Sequence, residues 1–175
     1  MDLGGRQKDM NAFLPGRGQG FSRRVNIRFH RTRQAADNTA FNIAKRILGE
    51  EKILAVMADI NLPSALFTDD ESTPEDVGYF WKLLYGGDYV SEETKDALLG
   101  YMTDTIYENW IAKDIPVRVA HKYGTLIHIR NDAGIVYAQK PYVLVVMSKG
   151  IVEKDADVVI PHISNYIYQI MTSSN

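Results

Sequence analysis

Residues 117–147 read V-R-V-A-H-K-Y-G-T-L-I-H-I-R-N-D-A-G-I-V-Y-A-Q-K-P-Y-V-L-V-V-M. Val117, Val119 and His121 alternate with Arg118 and Ala120, the period of a half-buried strand running from Pro116 to His121. Leu126-Ile127-His128-Ile129 either continues that strand or begins a turn. Ile135-Val136-Tyr137-Ala138 and Tyr142 to Met147 are two further apolar, β-branched runs. Gln139-Lys140-Pro141 between them is short enough for a hairpin, so these two strands pair antiparallel.

Helical punctuation precedes this sheet. Asp37 or Asn38 offers a side-chain oxygen as an N-cap, and Ala40, Phe41, Ala44, Ile47 and Leu48 fall on one apolar face. Gly49 fits a left-handed C′ stop, and a second short helix runs from Glu50 to about Ala58. Thr73-Pro74-Glu75-Asp76 places a capping hydroxyl, a first-turn proline and two acids against the helix dipole. The inward residues expected there are Val77, Phe80, Trp81 and Leu84, with Gly86-Gly87 closing the helix. Ser91 opens another helix that turns Ala97, Leu98, Tyr101 and Met102 inward. After the sheet, Ile160, Ile163, Ile167 and Ile170 repeat at helical spacing within 155–171, with Pro161 in a first turn or at a kink. Helices, an antiparallel sheet and a covering helix predict an α+β fold.

At 175 residues and 45% hydrophobic content the chain suits one domain with a sizeable core. No apolar run approaches the roughly 20 residues of a membrane-spanning helix. The absence of cysteine excludes disulfides and thiolate metal sites. The four histidines, His30, His121, His128 and His162, follow no metal-ligand spacing. His121 and His128 read as packing residues, and Asp69-Asp70-Glu71 as a solvated loop. No metal and no cofactor are expected.

The net charge of −2 divides unevenly. Residues 1–34 hold seven Arg, one Lys and two Asp, a net of +6, while residues 35–175 hold three Arg, nine Lys and 20 acids, a net of −8. The change from arginine to lysine at one point predicts that 1–34 derives from another reading frame or a misjoined segment. The Arg/Gly-rich arm, residues 1–35, is expected to be disordered. Gly16 to Arg24 has the composition of an RNA-binding tail, although nucleic acid is not the favoured partner. Val25 to Phe29 alternates as a short strand would.

Two motifs carry chemistry. Ala36-Asp37-Asn38-Thr39-Ala40-Phe41-Asn42 resembles the S-D-N element, and His121-Lys122-Tyr123-Gly124-Thr125 the K-T-G strand, of class A β-lactamase-like serine hydrolases. The T-P-E-D-V helix start, N-D-A-G-I-V-Y and P-Y-V-L-V-V-M-S-K-G resemble the same family in the same order, over residues 36–175. The resemblance implies a partial fold of this type, namely the C-terminal half, with a five-stranded antiparallel sheet in the whole family domain. It implies acyl transfer on a β-lactam or a D-alanyl peptide, hence a β-lactam or a peptidoglycan-like peptide as partner. Asn38 matches the asparagine that holds the substrate's acylamino group. Lys122 matches the strand lysine that draws the substrate carboxylate and assists proton transfer. Gly124 matches the residue that lets substrate approach the strand, and Thr125 adds a hydroxyl.

Four departures accompany the match. Ala36 replaces the motif serine, and Tyr123 replaces the small hydroxyl residue, where its ring would narrow or re-aim the cleft. No E-x-x-L-N occurs between Asn38 and Thr73. None of the eight serines has a lysine three residues later, so the S-x-x-K nucleophile is missing. The expectation is a truncated family member that is inactive as written, with a non-catalytic binding module or an arginine-arm nucleic-acid binder as rivals. The family acts outside the cytoplasm. Without a signal-like apolar segment, the sequence as written reads as cytoplasmic. The Tyr142–Met147 strand is expected to present an open edge, an association hazard.

Overall fold

The computed structural model describes residues 38–62, 71–87 and 89–173, all within the unit Arg33–Asn175. The basic arm, the expected Val25–Phe29 strand, Ala36, the Asp37 cap and Asp69-Asp70 lie outside the described residues.

Helices α1 (Asn38–Leu48) and α2 (Glu50–Asp59) meet at Gly49. Gly49 is not the left-handed stop expected from sequence: its φ of 81° is positive, but ψ is 144°. That extended, positive-φ conformation is open to glycine alone. It lets one residue serve both helices, its N–H donating to Lys45 O at 2.9 Å and its carbonyl accepting from Ile53 N at 3.3 Å. The predicted apolar face of α1 forms at the right spacing, yet α1 has no buried residue. Phe41 is 58% exposed and Ile47 74%.

Helix α3 (Pro74–Gly86) starts as its sequence dictates. The Thr73 hydroxyl accepts from the Asp76 N–H at 3.1 Å, Pro74 occupies the first turn, and Gly87 closes the helix at φ 75°. Trp81 and Leu84 are buried, whereas Phe80, expected inward, is exposed. Helix α4 (Glu92–Tyr101) is capped by Ser91, which accepts from Thr94 N. Its buried residue is Leu99, not Leu98 or Tyr101. The inward face runs through Leu99 and Met102, which join Trp81 and Leu84 in one cluster. Ala97 to Met102 is almost uniformly apolar, and packing rather than periodicity selects the face.

The sheet has the order β1 (Val119–Leu126), β2 (Ile129–Val136) and β3 (Tyr142–Val146), antiparallel throughout. Leu126 to Ile129 is a turn with His128 at φ 58°. Strand β2 begins at Ile129, six residues before the Ile135 start expected from sequence. Arg130-Asn131-Asp132 hides strand character because its polarity is satisfied locally. The Arg130 N–H donates to Ser148 Oγ at 3.0 Å, that hydroxyl donates to Arg130 O at 2.6 Å, and the Ser148 N–H donates to Asn131 Oδ1 at 2.9 Å. These bonds extend the β2–β3 ladder beyond its last backbone pair, Asp132 with Val146.

Both faces of the sheet are covered, so Val119 and Ala120 are buried alike instead of alternating. On one face Ala120, Ala133 and Ile135 pack against Trp81, Leu84 and Leu99. On the other, Val119, Val136 and Leu144 pack against Ala156 and Ile160 of helix α5 (Glu153–Ser173). Burial in α5 falls on Ala156, Ile160, Pro161 and Ser164, while Ile163 and Ile170 of the expected stripe are exposed. Pro161 lies within the helix instead of its first turn. No described helix is long and apolar enough to cross a membrane.

Between α4 and β1 an irregular segment is fastened to both layers. The Ile111 N–H donates to Asp132 Oδ2 at 3.1 Å, and its carbonyl accepts from the Ser164 hydroxyl at 2.6 Å. Ile111 itself is fully buried.

Candidate functional site

The motif residues lie on the outer edge of β1. His121 donates its N–H to Met102 O at 2.8 Å, away from β2, and Thr103 bridges to Ala120. Alternate residues of a strand aim their amides to the same side, so the N–H groups of Tyr123 and Thr125 face that edge too. Among the described residues no strand pairs with β1 there. The result is that the N–H groups of Tyr123 and Thr125, on the C-terminal side of Lys122, have no backbone partner among the described residues and can receive an extended or amide-bearing ligand.

Lys122 stands opposite Ala133. As a residue it is exposed, but its ammonium folds back, donating to Tyr123 O at 2.5 Å and lying 5.1 Å from the Tyr123 ring centroid. Partial desolvation of the ammonium lowers its pKa below the usual lysine value, against an opposing pull from Asp132. An ammonium so held can pair with an anion and releases its proton more easily than that of a free lysine.

Tyr123 does not narrow the cleft on the Lys122 side. Its side chain lies on the opposite face of the sheet, where its ring sits 4.2 Å from Tyr107 and 5.4 Å, edge to face, from Trp110. Burial and the adjacent Tyr107 hydroxyl push its own hydroxyl up to about 12. These rings, with Asn109, Lys113 and Asp157, line a depression of about 280 Å³. Tyr123 therefore contributes backbone to the edge and its ring to the layer behind it. Gly124 is exposed, and a Cβ there would meet nothing within 4 Å, leaving the strand open to close approach. Thr125 is exposed, with its hydroxyl unbonded among the described residues.

Asn38 opens α1 and is exposed. No hydrogen bond or ion pair joins it to Lys122, Tyr123, Gly124 or Thr125 among the described residues. The structure thus brings together the four strand residues and leaves Asn38 without a bond to them.

Behind the edge lies a group that sequence reasoning passed over. His121, 2% exposed, faces Asp132, 1% exposed. Its Nδ1 is 2.9 Å from Asp132 Oδ1, and its Nε2 is 3.3 Å from Glu108 Oε1. The same glutamate oxygen accepts from the Thr105 N–H at 2.6 Å and the Thr105 hydroxyl at 2.9 Å. Burial disfavours the imidazolium, but the bond to Asp132 and the charges of Asp132 and Glu108 outweigh it and raise the pKa of His121. Sequence offered only one clue, a histidine and an aspartate at adjoining positions of two strands later seen to be paired. Among the described residues no group of three or more His, Cys, Asp or Glu is arranged to hold a metal ion.

The family model of the beta-lactamase enzyme family matches residues 30–171. The chain belongs to this family. The matched stretch opens ahead of Ala36 and takes in all eight described elements except the last residues of α5. Comparison with curated proteins found no match.

Solved structures similar to this chain agree with its family. The β-lactamase from Sphaerobacter thermophilus DSM 20745 is 21% identical, with a TM-score of 0.66 over 78% of this chain and 58% of its own. PBP-A is 21% identical, with a TM-score of 0.67 over 78% of this chain and 57% of its own. A PBP-A variant solved as an acyl-enzyme complex with penicillin G is 20% identical, with a TM-score of 0.65 over 78% and 57%. At these identities the likeness is one of fold: a partial β-lactamase fold in α+β form. The chain spans less than three-fifths of the length of these structures.

Proposed function

We propose that the outer edge of β1 recognises a β-lactam or a D-alanyl peptide, as part of a penicillin-recognising serine hydrolase of class A type. The observation that carries this reading is the conjunction of Lys122 with the outward N–H groups of Tyr123 and Thr125 on an unpaired strand edge. The Lys122 ammonium draws the substrate carboxylate, the edge N–H groups bond the amide portion, and Gly124 leaves the approach unobstructed. Asn38 would hold the acylamino group of the substrate. Membership of the family and the penicillin acyl-enzyme formed by a PBP-A variant support the substrate class.

Acyl transfer through a serine ester needs an activated nucleophile, and no S-x-x-K occurs in this sequence. On this reading these residues bind such ligands without themselves forming the ester. Their part in the chemistry is recognition and charge placement, in a family whose biological setting is the response to β-lactam antibiotics.

The test is incubation of the chain with a fluorescent penicillin, followed by intact mass and by amide chemical-shift mapping. Shifts clustered at Lys122–Thr125 with unchanged mass are expected. A stoichiometric covalent adduct on any serine would overturn the non-acylating part, and shifts confined elsewhere would overturn the binding edge.

A further inference from the structure

We propose that His121 is a positioning residue for the β1 edge: held as an imidazolium between Asp132 and Glu108, it locks the segment around 105–111 against the strand and so sets Tyr107 against Tyr123. This deepens the reading of the edge as a ligand site and rests on it only for the consequence to binding.

The argument begins with the two ring nitrogens. Each faces a carboxylate oxygen, Nδ1 that of Asp132 at 2.9 Å and Nε2 that of Glu108 at 3.3 Å. A neutral imidazole carries a proton on one nitrogen only, so the other would set a lone pair against a carboxylate. With both acids ionised, only the doubly protonated ring satisfies both contacts. The site is dry, with the His121 side chain 1% exposed and that of Asp132 0%. There the interaction between opposite charges is strong and an unpaired group costly.

The two acids come from different parts of the fold. Asp132 lies on β2 and also accepts the Ile111 N–H. Glu108 lies in the irregular segment and gathers Thr105 through both its amide and its hydroxyl. His121 is thus the cation through which that segment is fastened to the sheet. Tyr107 adjoins Glu108, and its ring stacks at 4.2 Å on Tyr123, the residue whose carbonyl holds the Lys122 ammonium. The charged groups facing His121 are Asp132 and Glu108. Lys122, its neighbour on the same strand, adds a positive charge that Asp132 also attracts.

Gly134 makes room for this arrangement. It pairs with His121 across the ladder, and a Cβ there would lie 2.7 Å from His121 Cβ.

The test is a pH titration of the full chain labelled with ¹⁵N, following the imidazole nitrogens of His121 with unstructured histidine-containing peptides as references. His121 is expected to show both nitrogens protonated after the references have lost their protons. The Tyr107–Tyr123 ring contacts should weaken as His121 finally titrates. In Glu108→Gln, whose side chain is partly exposed and whose loss spares the core, the His121 midpoint should shift down toward the references and the ring contacts should be lost at lower pH. Titration of His121 together with the references, or ring contacts indifferent to its protonation in both proteins, would overturn the proposal. Penicillin binding is measured alongside. Absence of binding with the titration as expected would sink the ligand-site reading and leave the clamp standing, whereas binding that is unchanged across the His121 transition would remove its positioning role.

Discussion

Gly134 lies directly opposite His121 in the β1–β2 ladder, so closely that a Cβ on it would fall 2.1 Å from the Ala120 carbonyl oxygen and 2.7 Å from His121 Cα. The obstructing atoms are backbone, which cannot swing aside. Gly134→Ala should therefore destabilise the chain by about 3 kcal/mol or more, the upper range for overpacking. Urea unfolding with an unchanged midpoint would show that the strands separate more freely than this spacing implies.

Tyr142 presents the opposite case. Its hydroxyl is buried without a hydrogen-bond partner among the described residues, and burial together with Tyr168 raises its pKa. Since the oxygen is desolvated without compensation, Tyr142→Phe should be neutral or stabilising by up to about 1 kcal/mol. A clear loss of stability in thermal melts would reveal a bond to that hydroxyl.

Removing the ammonium of Lys122 should weaken penicillin binding at least about tenfold, the order expected for one charge-assisted contact. Lys122→Arg should recover part of it. Because partial burial lowers the Lys122 pKa below 10.5, the cation disappears earlier than a free lysine would as pH rises, and affinity should fall through that window. Equilibrium titrations at stepped alkaline pH decide the matter. Equal binding by Lys122→Ala would exclude the ammonium as the carboxylate's partner.

Stability itself should depend on pH through His121. Burial opposes its charge but the Asp132 bond and the two carboxylates prevail, so the native pKa is above the reference 6.5. Such a group contributes fully below the unfolded value and loses its contribution as pH rises through the native one. The wild-type midpoint in urea should thus decline on passing from pH 6.5 upward, and His121→Gln should show a lower but flatter profile. Parallel profiles would assign the decline to other groups.

The α1 helix offers a stability-neutral change. Ile47 is 74% exposed, so Ile47→Lys should alter stability by less than about 0.5 kcal/mol while reducing self-association through an exposed apolar face. Sedimentation at increasing concentration measures this. Unfolding of the variant would mean that Ile47 is covered in solution.

Much of this architecture was readable from local chemistry. Thr73 and Ser91 announce their helices because capping is a short-range hydrogen bond, and Tyr142–Val146 announces a strand because five apolar residues in a row suit a sheet covered on both faces. The Lys122-Tyr123-Gly124 stretch marked the edge through its resemblance alone. What escaped was long-range. Arg130 to Asp132 carried no strand pattern of their own because Ser148, Ile111 and His121, which satisfy their polar groups, lie far off in sequence. Leu98 and Leu99 are indistinguishable until Trp81 and Ala120 select one. Tyr123 was placed in the cleft because a residue's face cannot be fixed before the strand's register and covering helix are known.

The two bonds to the peptide groups of Ile111 have a consequence for how sequence change is tolerated along its segment. One comes from a carboxylate of the sheet and the other from a hydroxyl of α5, so the grip is on main-chain atoms that every residue possesses. Identity at position 111 is constrained by size and apolar character, while the side chains that hold its peptide groups are written elsewhere, at Asp132 and Ser164. Exchange of Ile111 for another apolar residue of similar size can proceed under that arrangement, whereas loss of either remote side chain would release a stretch it does not belong to.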